Sequence, residues 1–407
     1  MRSAGSAARD IWDEAGMTSV IAALGCAAWL YLLAARGGFW RVSERDDERA
    51  AVRALDAWPR VTAIVPARDE ADVIGANLAS LLLQDYPGDF SVIVVDDHSS
   101  DATAAVARAS GGGATPSRVT VLRAPALEPG WTGKLSALDH GIRHAEARPA
   151  PSDYLLLTDA DIAHAPDTLR MLVSRARREG LLLSSLMAKL NAQSGAERAM
   201  IPAFVFFFRM LYPFAWVNSL QRTSAAAAGG CMLVDRNALH RAGGLAAIRG
   251  ELIDDCALAR LLKPHGPIRI ALTDRVRSMR AYRSFGELRR MIARTAFTQL
   301  RFSPGRLGAT VAAMLVVFVA PPVFALTSAD PLVRALGAFA WGCMTLAFVP
   351  MLAFYRRSPA WAVALPVIAA AYVALTIDSA LQHLRGRGGE WKGRVRPRAA
   401  FDPGGRP

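Results

Sequence analysis

Two aspartates, Asp159 and Asp161, stand one residue apart at the end of the apolar run Tyr154-Leu155-Leu156-Leu157-Thr158. On an extended backbone, side chains two apart point the same way. Paired carboxylates repel unless a cation lies between them, such as a divalent metal that also holds phosphates. Alone, the triplet reads more readily as an acidic turn after a strand. Two further segments have the same form. Asp96-Asp97-His98-Ser99-Ser100-Asp101 follows Ser91-Val92-Ile93-Val94-Val95, and Pro66-Ala67-Arg68-Asp69-Glu70 follows Val61-Thr62-Ala63-Ile64-Val65. Helix capping by Ser99, Ser100 or Asp101 explains one or two of these residues. It does not explain acids at all three strand ends.

Helix-like stretches such as Ala71 to Gln84 separate the apolar runs, so the expected fold class is α/β with a mostly parallel central sheet. Ligands of such sheets bind beyond the carboxyl ends of the strands. Glu70, Asp96, Asp97, Asp159 and Asp161 all fall there. Gly111-Gly112-Gly113 with Pro116 reads as a surface linker before the next strand, Arg118 to Leu122.

Further along stand Gly133-Lys134 and Asp254-Asp255. Taken singly, Lys134 reads as an exposed lysine at a helix start, and the acid pair as a helix N-terminus favoured by the dipole. In order with the three earlier motifs, they make the chain resemble the family 2 inverting glycosyltransferases of GT-A fold, over roughly residues 61–301. Through Trp131-Thr132-Gly133-Lys134, Gly229-Gly230-Cys231-Met232-Leu233 and Trp391-Lys392-Gly393-Arg394, it is similar to the membrane glycosyltransferases associated with hopanoid biosynthesis.

That resemblance implies a nucleotide-sugar donor, with a UDP-sugar expected, and a lipid acceptor of hopanoid or polyprenyl type. It also implies roles for particular residues. Ala67, Glu70, Asp96 and Asp97 would hold the nucleoside, with Asp159 reaching the ribose or a metal-bound water. Lys134 would add a positive charge at the diphosphate. Asp161, with Asp159, would bind Mg²⁺ or Mn²⁺. Asp255, with Asp254 beside it, would be the base that takes the acceptor's proton. Gly230 and Cys231 would line the acceptor pocket. Asp69 stands where relatives often have Asn, and Asp254 where they have Glu. The Gln-x-x-Arg-Trp motif of processive synthases is not intact, because Gln299-Leu300-Arg301-Phe302 is one residue short and ends in Phe. Single-sugar transfer follows, with Gln299 and Arg301 as candidate contacts to diphosphate or acceptor.

The 52% apolar content of the 407-residue chain is unevenly spread. Met17 to Ala35, Leu307 to Leu326, Val333 to Tyr355 and Trp361 to Leu381 are each about long enough at 1.5 Å per residue to cross a ~30 Å hydrocarbon core. The expected organisation is an anchor over residues 1–36, a catalytic domain over 37–306, a membrane region over 307–383 and a basic tail over 384–407. Acids at Asp10, Asp13 and Glu14 favour an uncleaved anchor over a signal peptide.

Arg36, Arg41, Arg45 and Arg49 follow the first run, which places the catalytic domain in the cytoplasm of a multi-pass inner-membrane protein. The tail, with Arg385, Arg387, Lys392, Arg394, Arg396 and Arg398, asks for the same side. Three full spans would put it on the other. One of the last three runs is therefore expected to be re-entrant or interfacial; Pro321-Pro322 and Pro366 with Asp378 mark two candidates.

The net charge of +13 comes with no nucleic-acid-binding signature. Arg280, Arg283, Arg289, Arg290, Arg294, Arg301 and Arg306 gather before the second apolar run, as on a surface facing anionic lipid. The aromatic-rich stretch Ala203 to Val217 reads either as an interfacial segment or as a core helix. The four cysteines show neither metal-ligand nor disulfide spacing. Two rival functions stay open: a nucleotidyltransferase, which would want a basic loop where only Arg68 stands, and a non-catalytic membrane scaffold.

Overall fold

A computed structural model describes residues 4–46, 55–111, 118–282 and 284–385, with side chains from residue 16 onward. The tail from Arg387 to Arg398, including Trp391-Lys392-Gly393-Arg394, lies outside the described residues, as do Arg49, Arg283, Gly112, Gly113 and Pro116.

Among the described residues, eight strands form one sheet: β1 (Val61–Ala67), β2 (Phe90–Asp96), β3 (Val119–Arg123), β4 (Tyr154–Thr158), β5 (Ile162–His164), β6 (Leu183–Lys189), β7 (Cys231–Asp235) and β8 (Ile268–Ser278). Their order is β3-β2-β1-β4-β7-β6-β8-β5. β1, β2 and β4 are apolar nearly throughout because helices cover both faces of a parallel sheet. Their alternating side chains divide between two cores. Ile64, Ile93, Leu155 and Leu157 enter one, and Val65, Val92, Val94 and Leu156 the other.

The sheet is parallel from β3 through β4 and between β6 and β8. β7 runs antiparallel between β4 and β6. That reversal sets Cys231, the first residue of β7, opposite Thr158, the last of β4. The two glycines before β7 therefore meet the acids after β4. The register of β1 with β2 puts Ala67 beside Asp96 at the same sheet edge.

Among the described residues, four helices, Gly16–Ala34, Pro304–Thr327, Pro331–Phe354 and Pro359–Leu384, are long and apolar enough to cross a membrane. Their outer faces expose Leu24, Leu30, Val323, Leu326, Leu346 and Val367, as a hydrocarbon environment requires. The protein is membrane-associated. The prolines that marked two runs as broken are absorbed locally. Pro366 lies in the first turn of Leu365–Leu384, where no N–H is missed. Before Pro321, the helix widens into a π-turn at Leu315–Val319. Trp29 Nε1 donates to the Val317 carbonyl there at 2.8 Å, and the indole meets Phe318 edge-on. A backbone carbonyl is thus satisfied where lipid offers no partner.

The aromatic stretch resolves as packed structure. Helix Gly195–Leu211 carries Pro202 within it, and a short helix, Phe214–Val217, follows. Phe206 contacts Phe39 and Phe348, while Phe207 contacts Phe318 and Tyr372. Arg36, at the end of the first apolar helix, donates to the Met210 and Leu211 carbonyls and so caps this helix's C-terminus. The sheet domain and the apolar helices therefore share one continuous core.

Candidate active site

A cavity of about 1140 Å³ opens at the C-terminal ends of β1 and β4. Glu70, Lys134, Asp159, Asp161, Gly230, Asp254 and Asp255 line it. So do Phe204 and Phe208 of helix Gly195–Leu211, Met291 and Arg294 of helix Phe285–Gln299, and Asp378 and Gln382 of the last apolar helix.

Each acid is positioned by a local device. After β1 the chain turns through Asp69 in the left-handed region, φ 50°, which Asp and Asn tolerate best among residues with a side chain. The Asp69 carboxylate accepts from the Ser100 N–H at 2.7 Å, and that bond holds it below the usual carboxylate range. The Glu70 N–H donates to Thr103 Oγ1, so the β1 loop is tied to the β2 loop. Lys134 occupies the first turn of helix Gly133–Glu146, whose N-cap Thr132 accepts from the Leu135 N–H. Asp254 and Asp255 open helix Asp254–Leu262.

Two cations hold these acids. Lys134 Nζ lies 2.8 Å from Asp159 and 3.1 Å from Asp254. Arg280 Nε lies 2.8 Å from Asp161, and its Nη2 lies 2.7 and 3.0 Å from the two oxygens of Glu70. Burial raises the Asp159 carboxyl, opposed by the Lys134 charge and reinforced by Asp161. For Lys134, burial disfavours the charge, but Asp159 and Asp254 outweigh it and raise the ammonium. Arg280 behaves alike: Asp161 and Glu70 outweigh its desolvation. Both cations stay charged.

Asp255 has a different setting. Its Oδ2 accepts from the Gly229 N–H at 3.0 Å and its Oδ1 from the Cys256 N–H at 2.7 Å. Burial and the neighbouring Asp254 push it up to about 6, against the pull of Lys134 and the two N–H donors. A carboxylate tuned into that range can accept a proton near neutral pH. Gly229 packs close to the site: a Cβ there would stand 3.2 Å from Lys134 Nζ, which would have to give by a few tenths of an ångström, and 3.5 Å from Asp255 Oδ2, an ordinary contact.

The remaining candidates lie elsewhere. Ala67 ends β1, while Asp96 and Asp97 stand one strand over at the end of β2; all three are buried and none lines the cavity. Asp96 accepts from the Ser99 N–H, and Asp97 faces Arg68, whose Nη1 also bonds the Asp97 carbonyl. Cys231 is sealed in the sheet rather than lining the cavity. Gln299 bonds the Tyr212 hydroxyl, and Arg301 is exposed beyond the helix end, so neither lines the cavity. They are displaced because the helix turns Arg290, Met291 and Arg294 toward the cavity instead.

The arginine cluster read as lipid-facing therefore divides. Arg280, Arg289, Arg290 and Arg294 line the cavity, and Arg289 pairs bidentately with Asp378 at 2.9 Å. Arg280 is the residue that sequence reasoning missed. Its only signal was basic character within a cluster that had another explanation.

Asp159 and Asp161 offer hard oxygen donors at the cavity wall. Among the described residues, no three His, Cys, Asp or Glu side chains group as a ready metal cage. This donor set fits a Mg²⁺ or Mn²⁺ that completes its shell from substrate phosphates and water, and does not fit a metal caged by protein alone.

Comparison with known proteins is consistent with this geometry. The sequence family described as glycosyltransferase like family 2 matches residues 59–298. A 4,4'-diaponeurosporenoate glycosyltransferase of Staphylococcus aureus (strain MRSA252) is 34% identical over 122 residues, 30% of this chain and 29% of that protein. The match thus spans under a third of that relative's length. Among solved structures, a mannosyltransferase from Pyrobaculum calidifontis in complex with GDP-Man and Mn²⁺ superposes with a TM-score of 0.53 at 22% identity, covering 90% of this chain and 99% of that one. That likeness shows the GT-A-like fold.

Proposed function

The chain belongs to glycosyltransferase like family 2, and from that premise we propose an inverting, membrane-embedded enzyme that moves one sugar to a lipid. The donor is a nucleotide sugar, with a UDP-sugar as first candidate. The acceptor is a hopanoid-type or polyprenyl lipid, and the catalytic domain faces the cytoplasm. One observation carries the lipid reading: a single cavity joins the acids at the strand ends to Asp378 and Gln382 on an apolar helix. The relative whose name specifies a carotenoid acid as acceptor supports the same acceptor class.

In this reading the nucleoside lies over the β1 and β2 ends, near Ala67, Glu70, Asp96 and Asp97. Lys134, at a helix N-terminus, and Arg280 face the diphosphate, where backbone N–H groups and fixed cations favour anions. Asp159 and Asp161 hold the divalent cation, which when bound neutralises charge on the leaving diphosphate. Asp255 takes the proton of the acceptor hydroxyl from the opposite side, which makes a single displacement invert the anomeric centre. Phe204, Phe208 and Met291 supply apolar walls for the acceptor. Arg68, the basic residue that a nucleotidyltransferase would need at β1, faces Asp97.

The test is transfer by the full chain in lipid nanodiscs, supplied with labelled UDP- and GDP-hexoses and a bacterial lipid extract. One sugar on an organic-soluble product, with inverted anomeric configuration by NMR, is expected. Retention of configuration, polymer formation, or consumption of neither donor class would overturn the proposal.

A further inference from the structure

We propose that Arg280 is a resident counter-ion of the donor site that makes divalent-cation binding depend on the nucleotide. The inference rests on the reading of Asp159 and Asp161 as cation ligands. It adds a role for a side chain that the motifs do not include.

Arg280 holds Asp161 and Glu70 together, through three contacts of 2.7 to 3.0 Å. Its backbone is fixed on both sides. The Met279 N–H donates to the Asp161 carbonyl at 2.8 Å, and the Tyr282 N–H donates to Glu197 Oε1 at 2.6 Å. Glu197 in turn belongs to the capping box of helix Gly195–Leu211. The anchor is rigid while the guanidinium is the more exposed partner: its side chain is 36% exposed, against 16% for Asp161 and 13% for Glu70. Arg280 is therefore the partner with open cavity beside it, and it can leave the acids only for another anion. The two acids cannot lose it without another cation in its place.

A divalent cation arriving alone must evict Arg280 from Asp161 and leave Glu70 with a weakened partner. A nucleoside diphosphate changes that balance. The planar guanidinium that forks onto carboxylate also forks onto phosphate. Arg280 then exchanges one anion for another while the cation takes Asp161. Cation and nucleotide consequently favour each other's binding, and the coupling is reciprocal. Lys134 is a poorer candidate for this exchange, because it is mostly buried between Asp159 and Asp254 at a helix start.

The experiment is a Mn²⁺ titration followed by electron paramagnetic resonance, on the full chain in nanodiscs, with and without UDP or GDP. Arg280→Gln is expected to bind Mn²⁺ alone at least tenfold more tightly than the wild type, about 1.4 kcal/mol. The tightening of Mn²⁺ by nucleotide is expected to shrink by the same factor. Arg280→Lys keeps the charge but not the fork; it is expected to change Mn²⁺ binding with the same sign and serves if Arg280→Gln does not fold. Equal Mn²⁺ affinity without nucleotide in wild type and both variants, while nucleotide still tightens it in all, overturns the role of Arg280 and leaves the cation reading standing. No Mn²⁺ bound by any form, even with UDP or GDP, overturns the cation reading itself.

Discussion

Replacing Asp255 by Asn is the sharpest probe of the proposed chemistry. With its carboxyl pushed up to about 6, wild-type Asp255 is mainly ionised at pH 7.5 and takes up its proton as the pH falls through that range. Burial raises this pKa most, Asp254 on the same helix adds to the rise, and Lys134 with the N–H donors of Cys256 and Gly229 opposes it. A base must be deprotonated, so wild-type turnover is expected to rise about tenfold per pH unit below 6 and level off above it. Asparagine keeps the shape and one acceptor oxygen but cannot take a proton. Turnover at pH 7.5 should fall about 10²- to 10⁴-fold, or about 3–5 kcal/mol of barrier.

Donor binding should not fall with it. Asp255 adds negative charge to a cavity that must take an anionic donor, and neutralising it removes repulsion. The fold should also persist, since relief of a buried charge opposes the loss of one N–H bond. The assay pairs calorimetric titration of the nucleotide sugar with a pH series of initial rates. If Asp255→Asn loses donor binding together with turnover, or retains the rate inflection near pH 6, then Asp255 is not the base and Asp254 is the next candidate.

Lys134→Met leaves Asp159 and Asp254 without their shared cation, and breaking a mostly buried pair costs about 3–5 kcal/mol; a lowered melting temperature with lost donor binding is expected, and unchanged binding by titration would refute its place at the diphosphate. Arg301→Ala, beyond the helix end, should leave turnover within about twofold, the usual scale for an exposed side chain without partners in the site; a large loss in initial rate would put that arginine back in the site. Asp378→Asn should scarcely change stability, because its partner Arg289 is exposed and solvent screens the pair. Its KM for lipid acceptor should rise while donor affinity holds, and kinetics with both substrates varied would expose the opposite pattern.

Much of the architecture was readable in the residues because local rules governed it. β1, β2 and β4 announce themselves as apolar runs, each ending in acids, since a parallel sheet buries both faces and presents its ligands at one edge. The four apolar helices follow from length and composition alone. Motif order was enough to suggest the family, because it preserves the sequence of strand ends that meet a nucleotide sugar.

Tertiary structure decided which charges meet. Arg280 lies 119 residues from Asp161 and 210 from Glu70, a pairing that no local spacing encodes. Gly229 reaches Asp255 because β7 reverses beside β4, and that strand order is not legible in β7's own residues. The arginines before the second apolar run look alike in sequence; only the packing of helix Phe285–Gln299 against the last apolar helix separates those that line the cavity from Arg301, which does not. Periodicity and composition report what each segment must bury. Electrostatic partnership is set by where distant segments are brought together, and so belongs to the folded chain alone.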